Sequence, residues 1–148
     1  MLPHASLKNE LLLLENGLDV ASFMALRRSV GLPEREKLQV KRALGASLCS
    51  VLALYGGEIA GMGRLVGDGA IIWYLQDVIV SPRFQGQGVG RAIVEKLLAH
   101  IRESSLPGSC VSIGLMATAG KEGFYERLGF HARPSDGQGS GMMLNLQL

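Results

Sequence analysis

Gly86, Gly88 and Gly90 open a helix-patterned segment directly after the most β-prone stretch of the chain, Ile71 to Val80. A strand that ends in such a turn and enters a helix leaves several backbone N–H groups without internal partners, at the positive end of the helix macrodipole. Phosphate oxygens suit those donors, and the missing Cβ atoms let a pyrophosphate come close. The alternative is that the glycines only make a tight turn. Arg83 and Arg91 are expected to add positive charge with no carboxylate near them. A dinucleotide fingerprint G-x-G-x-x-G fails in both registers, because Arg91 and Ile93 stand where its third glycine belongs. A phosphate loop of the G-x-x-x-x-G-K-S/T kind fails at Gly120-Lys121, where Leu115 and Glu122 occupy the required glycine and hydroxyl positions.

Asp77 interrupts an otherwise apolar strand, and a period of two places it on the face of Trp73, Leu75 and Ile79, with Gln76 on the other. Two roles are open to it. It could relay a proton from an acceptor ammonium through water, or it could pair with Arg64 on the neighbouring strand. His4, His100 and His131 show no metal-ligand spacing and read as surface or helix-end residues, so no metal is expected. No Ser-His-Asp or Cys-His arrangement can be assembled, which leaves no covalent nucleophile.

The elements that must position these groups follow from spacing and punctuation. A first strand over 10–16 ends at Asn16-Gly17, Asp19 caps a helix over 20–30 stopped by Gly31, and a charged helix over 34–44 follows Pro33. Strands over 48–55 and 59–66 flank the Gly56-Gly57 hairpin turn, and 71–80 is the central strand. Val89, Ile93, Val94, Leu97, Leu98 and Ile101 predict an amphipathic helix over 88–103. A strand over Cys110–Met116, a short helix over 121–128 capped by Gly129, and a last strand over Met142–Leu146 complete an α/β mixed sheet with one β-α-β crossover.

With 148 residues, 47% apolar and 19% charged, the chain is expected to form a single domain over 1–148 that folds alone. Its net charge of +2 is too balanced for a nucleic-acid binder. Its longest apolar run, Ala70 to Leu75, is too short to span a membrane. Cys49 and Cys110 lie in apolar strand-like segments and are expected to be buried, reduced thiols, which points to a cytoplasmic address. The expected partner is a small molecule, and the size leaves room for a homodimer.

Gln85, Gly88 and Gly90 match Q/R-x-x-G-x-G/A, and with the strand ending at Val78 and Pro82 and the later Gly123-Phe124-Tyr125-Glu126-Arg127-Leu128-Gly129-Phe130 the chain resembles the GNAT superfamily of acyl-CoA-dependent N-acyltransferases. The likeness covers residues 48 to 146, and Trp73 through Leu97 is similar to serotonin N-acetyltransferase-like members. It implies a GNAT fold whose central parallel strands splay around acetyl-CoA as co-substrate. Backbone amides of Gln85, Gly86, Gln87, Gly88, Val89, Gly90 and Arg91 would hold its pyrophosphate, and Val78, Ile79 and Val80 would pair with its pantetheine arm. Tyr125 would donate to the departing thiolate, and a strand amide such as that of Val78 would face the thioester carbonyl. The implied reaction is acetyl transfer to an amine by direct attack in a ternary complex. The alternatives are a non-catalytic acyl-CoA-binding or sensory module and a protein lysine or N-terminal acetyltransferase. Thr118 stands where many members carry asparagine and Lys121 where alanine is common, which leaves the adenine-side contacts open. Residues 17–47 would form the acceptor side. There Asp19, Glu34 and Glu36 face Arg27, Arg28, Arg35, Lys37, Lys41 and Arg42, a net of +3 that would repel a polycation. Phe23, Met24, Leu26, Trp73 and Tyr74 could form an apolar wall, so a small, partly apolar primary amine is the expected acceptor.

Overall fold

The computed structural model describes residues 10–148. His4 lies outside them. The described chain divides into two units, one ending at Gly114 and one running from Leu115 to Leu148.

In the first unit, β1 (Leu11–Glu15) leads to α1 (Val20–Ser29) and α2 (Lys37–Gly45). Asp19 Oδ1 accepts from the Ser22 N–H at 2.7 Å, which fixes the start of α1 where the sequence places it. At its end Gly31 takes φ +74° and the Leu32 N–H returns to the Arg27 carbonyl at 3.1 Å. The second helix starts at Lys37, three residues later than the spacing suggests. β2 (Cys49–Tyr55) and β3 (Glu58–Gly67) form the expected hairpin, with both turn glycines at positive φ, +58° at Gly56 and +84° at Gly57. β4 (Ile72–Val80), a single 3-10 turn at Pro82–Phe84, α3 (Val89–Ser104) and β5 (Ser112–Gly114) complete the unit.

The sheet order is β1-β2-β3-β4-β5, antiparallel throughout except for the parallel β4–β5 pair that α3 connects. Alternation along β3 shows how its two faces are covered. Met62 joins Phe23, Leu26 and Val40 in the core under α1 and α2. Gly61 and Gly63 face α3, where a Cβ would stand 2.9 Å from Ile93 Cδ1 and 2.8 Å from Ile93 Cγ2 respectively. The helix therefore lies flush on the strand because those two positions carry no side chain. The expected buried helix face, Val89, Ile93, Val94, Leu97, Leu98 and Ile101, is the buried face of α3.

The second unit holds α4 (Glu122–Glu126) and turns. The expected strand over Met142–Leu146 is absent. Its side chains are exposed, 90% at Met142 and 79% at Leu144, and no ladder forms along it. A short apolar run makes a strand only when a partner strand completes its hydrogen bonds, and Gly137, Gly139 and Gly141 raise the entropic cost of extending this segment. The strand expected over Cys110–Met116 shrinks to three residues, Ser112–Gly114, paired with Ile72–Tyr74 of β4. Cys110 then lies outside it and is exposed, unlike buried Cys49; both are free thiols.

Candidate active site

The glycine loop has the form its sequence predicts. Gly86 and Gly88 hold left-handed conformations, φ +76° and +82°, and nothing lies within 4 Å of where a Cβ would stand at either. Gly88 is the N-cap residue of α3, with no side chain to occupy the first amides, and Gly90 lies in the first turn. The first intrahelical bond closes from the Ala92 N–H to the Gly88 carbonyl at 3.0 Å, so the N–H groups of Val89, Gly90 and Arg91 precede the ladder. Gln85 folds back to donate from Nε2 to the Val80 carbonyl at 2.9 Å, and Gln87 Nε2 donates to the Arg83 carbonyl at 3.3 Å; these bonds pin the loop to the end of β4. The flanking arginines are not free of carboxylates. Arg83 pairs with Glu58 at 3.0 Å and Arg91 with Glu95 at 2.8 Å. Both pairs are exposed, so they are weak and screened. The Glu95 pair is an i,i+4 contact along the helix, whereas the Glu58 pair depends on tertiary proximity.

Beside the loop, β4 has an open edge. It pairs with β5 only from Ile72↔Ser112 to Tyr74↔Gly114, whereas β4 continues to Val80. The Ser81 N–H reaches the Ala60 carbonyl on the β3 side at 2.8 Å, so alternation turns the Val80 N–H the other way, toward the edge β3 leaves free.

A bulge in β4 overturns the expected facing of Asp77. The register runs from Arg64↔Gln76 to Met62↔Ile79, two residues on β3 against three on β4. The extra residue reverses the alternation, and Asp77 absorbs the bend at φ +54°. Trp73 stays on the α3 side, its ring edge-on to His100 at 6.1 Å, while Ile79 lies in the core with Phe23, Leu26 and Val40. Asp77 therefore faces α1 and α2, opposite Trp73, and Gln76 lines the same cavity as Asp77. Asp77 Oδ2 accepts from Arg64 Nε at 2.7 Å, and Oδ1 lies 3.5 Å from Arg27 Nη1, with the Asp77 side chain only 6% exposed. Of the two roles open to Asp77, the pairing with Arg64 is present, with Arg27 as a second partner that the sequence did not indicate.

The apolar wall disperses. Phe23 and Leu26 are core, Met24 packs against that core, and Trp73 is buried on the opposite face. Of that wall only Phe23 borders the cavity of about 230 Å³ that Arg27, Arg35 and Arg64 line with Asp77 and Gln76, and Val40 and Ala43 supply the rest of its apolar surface.

A polar cluster that spacing could not reveal joins β1, β2 and α3. Glu15, Cys49 and His100 bring donor atoms within 4.8 Å of one another. His100 Nδ1 lies 2.7 Å from Glu15 Oε1, the Cys49 thiol donates to the same oxygen at 3.6 Å, and Lys96 Nζ is 3.7 Å from Oε2. The hydrogen bond to His100 chiefly holds the Glu15 carboxyl below its usual range. Burial, and then the Glu15 charge, push the Cys49 thiol from 9.0 up to about 12. A thiol so strongly protonated is no nucleophile at neutral pH. Residues 34, 51 and 85 positions apart carry no local signal of this contact.

In the second unit, Tyr125 sits on α4 between Phe124 and Phe130, at ring-centroid distances of 4.9 and 5.9 Å, both edge-on. The Phe130 N–H returns to the Tyr125 carbonyl at 3.1 Å across Gly129, whose φ of +99° makes it the expected left-handed cap. Burial pushes the Tyr125 phenol above its usual value of 10.0, so it is protonated at neutral pH.

A mixed sheet with an open parallel edge and a glycine cradle at the following helix defines a class, and comparison with known proteins gives the same class. The model of the acetyltransferase (GNAT) family matches residues 21–130, and the chain belongs to that family. It is 35% identical over 125 residues to serotonin N-acetyltransferase 2, chloroplastic, of Oryza sativa subsp. japonica, covering 80% of this chain and 59% of that protein. It is also 35% identical over 127 residues to histone acetyltransferase TAP1 of Glycine max, covering 78% and 53%. The chain thus spans a little over half the length of these curated relatives. A GNAT-family acetyltransferase structure from Streptococcus pneumoniae TIGR4 superposes with a TM-score of 0.77 at 27% identity, covering 94% of this chain and all of that one. A protein from meticillin-resistant Staphylococcus aureus superposes at 0.79 and 24% identity over 93% of this chain and all of that one, which shows the shared fold.

Proposed function

We propose that the protein is an N-acetyltransferase that moves the acetyl group of acetyl-CoA to an amine by direct attack in a ternary complex. The glycine cradle carries this function: Gly86 and Gly88 leave open space at a helix N-terminus that Cβ atoms would fill. A pyrophosphate fits there, with the amides of Gln85, Gly86, Gln87, Gly88, Val89, Gly90 and Arg91 as its donors. Val78, Ile79 and Val80, on the strand whose edge is open, would hold the pantetheine arm as an added strand. Bound acetyl-CoA supplies an activated acetyl thioester. The chain's part would be to fix it along β4, to receive an uncharged amine, and to hydrogen-bond the departing thiolate from Tyr125, with the proton lost by the amine nitrogen balancing the one gained by the thiol.

Tyr125 is assigned on its motif and on its chemistry. A phenol above 10 beside a thiol near 8.5 transfers its proton uphill, so Tyr125 acts mainly as a hydrogen-bond donor. A module that only bound acyl-CoA would have no use for it. Asp77, with both oxygens on arginines, is proposed as a positioning residue in place of the proton relay. A cytoplasmic address belongs to the same proposal and is supported by the two free thiols. Family membership leaves the acceptor open, because relatives of equal identity are named for serotonin and for histones.

Calorimetry with acetyl-CoA, followed by thiol release across a panel of amines, polyamines, aminoglycosides and peptides, tests the proposal. Saturable binding with amine-dependent thiol release is expected. Binding without release from any amine would leave the acyl-CoA-binding module.

A further inference from the structure

We infer that the acceptor amine carries an acid group, a carboxylate or a phosphate, which Arg27, Arg35 and Arg64 receive in the cavity lined by α1, α2, the segment between them, β3 and β4. This rests on the acetyltransferase function proposed above. Three guanidiniums line the cavity against one carboxylate, Asp77, an excess of two positive charges. Asp77 is already engaged by Arg64 at 2.7 Å and Arg27 at 3.5 Å. Arg35 has no ion-pair partner among the described residues, and Glu34 beside it is held by Arg28 at 2.9 Å. Arg27 donates from Nη2 to the Pro33 carbonyl at 3.2 Å and lies beside Asp77, but its buried Nε has no hydrogen-bond acceptor among the described residues, an uncommon state for a buried donor. Guanidinium forks match the planar oxygens of carboxylates and phosphates, and Gln76 adds a further amide donor to the same wall.

Size and position fit the same ligand class. A cavity of about 230 Å³ has room for several waters at ~30 Å³ each, enough for a small acid or the acidic end of a larger one. Gln76 and Asp77 directly precede Val78–Val80 in β4, so an acid held there leaves the amine of a short molecule beside the strand assigned to pantetheine. A simple alkylamine is protonated in solution and would approach a cleft of its own charge sign. An amine that also bears an acid is steered inward instead.

The test compares matched acceptors under saturating acetyl-CoA: phenylalanine with phenethylamine, and glucosamine 6-phosphate with glucosamine. The first pair reads carboxylate and the second phosphate. In at least one pair the anionic member should have the higher kcat/KM by tenfold or more, and Arg35→Glu should cut that ratio at least tenfold, with Arg35→Gln in between. Arg35 is exposed and has no ion-pair partner among the described residues, so both variants should fold, which circular dichroism checks. Calorimetry on the CoA complex gives a second readout, with N-acetylphenylalanine expected to bind more tightly than N-acetylphenethylamine. Preference for the neutral member in both pairs, or a ratio indifferent to Arg35→Glu, overturns the inference while acetyl transfer stands. If no amine is acetylated although acetyl-CoA binds, the transferase function fails, and equal binding of the two acetylated products then overturns the acid site as well.

Discussion

At the residue scale, three side chains make separable predictions. Tyr125→Phe keeps the ring between Phe124 and Phe130 and removes only the donor, so turnover should fall about 100-fold with acetyl-CoA affinity nearly unchanged. Single-turnover kinetics with calorimetry checks this, and unchanged chemistry would leave Tyr125 a packing residue. Cys49 is pushed up to about 12 by burial and by Glu15, whereas Cys110 is exposed. Iodoacetamide at pH 8 should therefore label Cys110 and spare Cys49 in the folded protein, as mass spectrometry of the peptides would show. The thiol's folded-state value is raised, so its contribution to stability is complete below about pH 9 and is lost as the pH rises toward 12. Denaturation midpoints in Cys49→Ala should fall less steeply above pH 9 than in the parent. Asp77→Ala would leave the largely buried Arg27 and Arg64 without their shared carboxylate beside the cavity, and a loss of about 3 kcal/mol is expected in denaturant unfolding, the low end for a broken buried pair because water in the cavity can solvate the two guanidiniums. Asp77→Asn tests the positioning role: with no relay through the carboxylate, the pH profile of kcat/KM should keep its shape.

At the scale of elements, α3 lies tightly on β3 at two glycines. A Cβ on Gly61 would stand 2.9 Å from Ile93 Cδ1, and one on Gly63 would stand 2.8 Å from Ile93 Cγ2 and 3.0 Å from Leu97 Cδ1. Gly63→Val should therefore destabilise the fold by about 1–3 kcal/mol, measured by urea unfolding, because the helix must lift off the strand. The cradle at the start of α3 behaves differently. There is space at Gly88, but its φ of +82° strains any β-branched replacement. Gly88→Asn tolerates the left-handed backbone and still projects a side chain where the pyrophosphate is proposed to lie. Acetyl-CoA affinity should drop at least tenfold by calorimetry while the melting temperature of the free protein changes little. Intact affinity would remove the loop from the cofactor site.

For the whole molecule, a ligand that binds the native state alone should stabilise it by about 2.7 kcal/mol at one hundred times its dissociation constant. Thermal unfolding of the parent with acetyl-CoA should show that increment, and Gly88→Asn should lose most of it at the same concentration. The balanced charge of +2 conceals local asymmetry, because three arginines line one cavity against the single carboxylate of Asp77. Net charge governs solubility, but the field inside a cleft depends on the few charges that line it.

Much of this protein is legible in its sequence because the signals are local. The Asp19 cap, the Gly56-Gly57 turn, the apolar period of α3 and the glycines that open it are each specified by residues within a few positions, where backbone sterics and hydrogen bonding decide the outcome. The F-Y-x-x-x-G-F segment likewise encodes its own helix and left-handed cap. Tertiary structure decided what depends on partners distant in the chain. Period two fails at Asp77 because one extra residue in β4 is accommodated against β3, a register choice made by pairing. The same bulge moves Asp77 from the side of Trp73 to that of Arg27 and Arg64 and makes a carboxylate that could have been a base into the anchor of two arginines. Met142–Leu146 is an apolar run that reads as a strand yet has no partner among the described residues to complete its hydrogen bonds, and Glu15, Cys49 and His100 meet only because β1, β2 and α3 are packed together. A pattern of side chains specifies which face an element can bury, whereas the identity of the group across the gap depends on the folded chain as a whole.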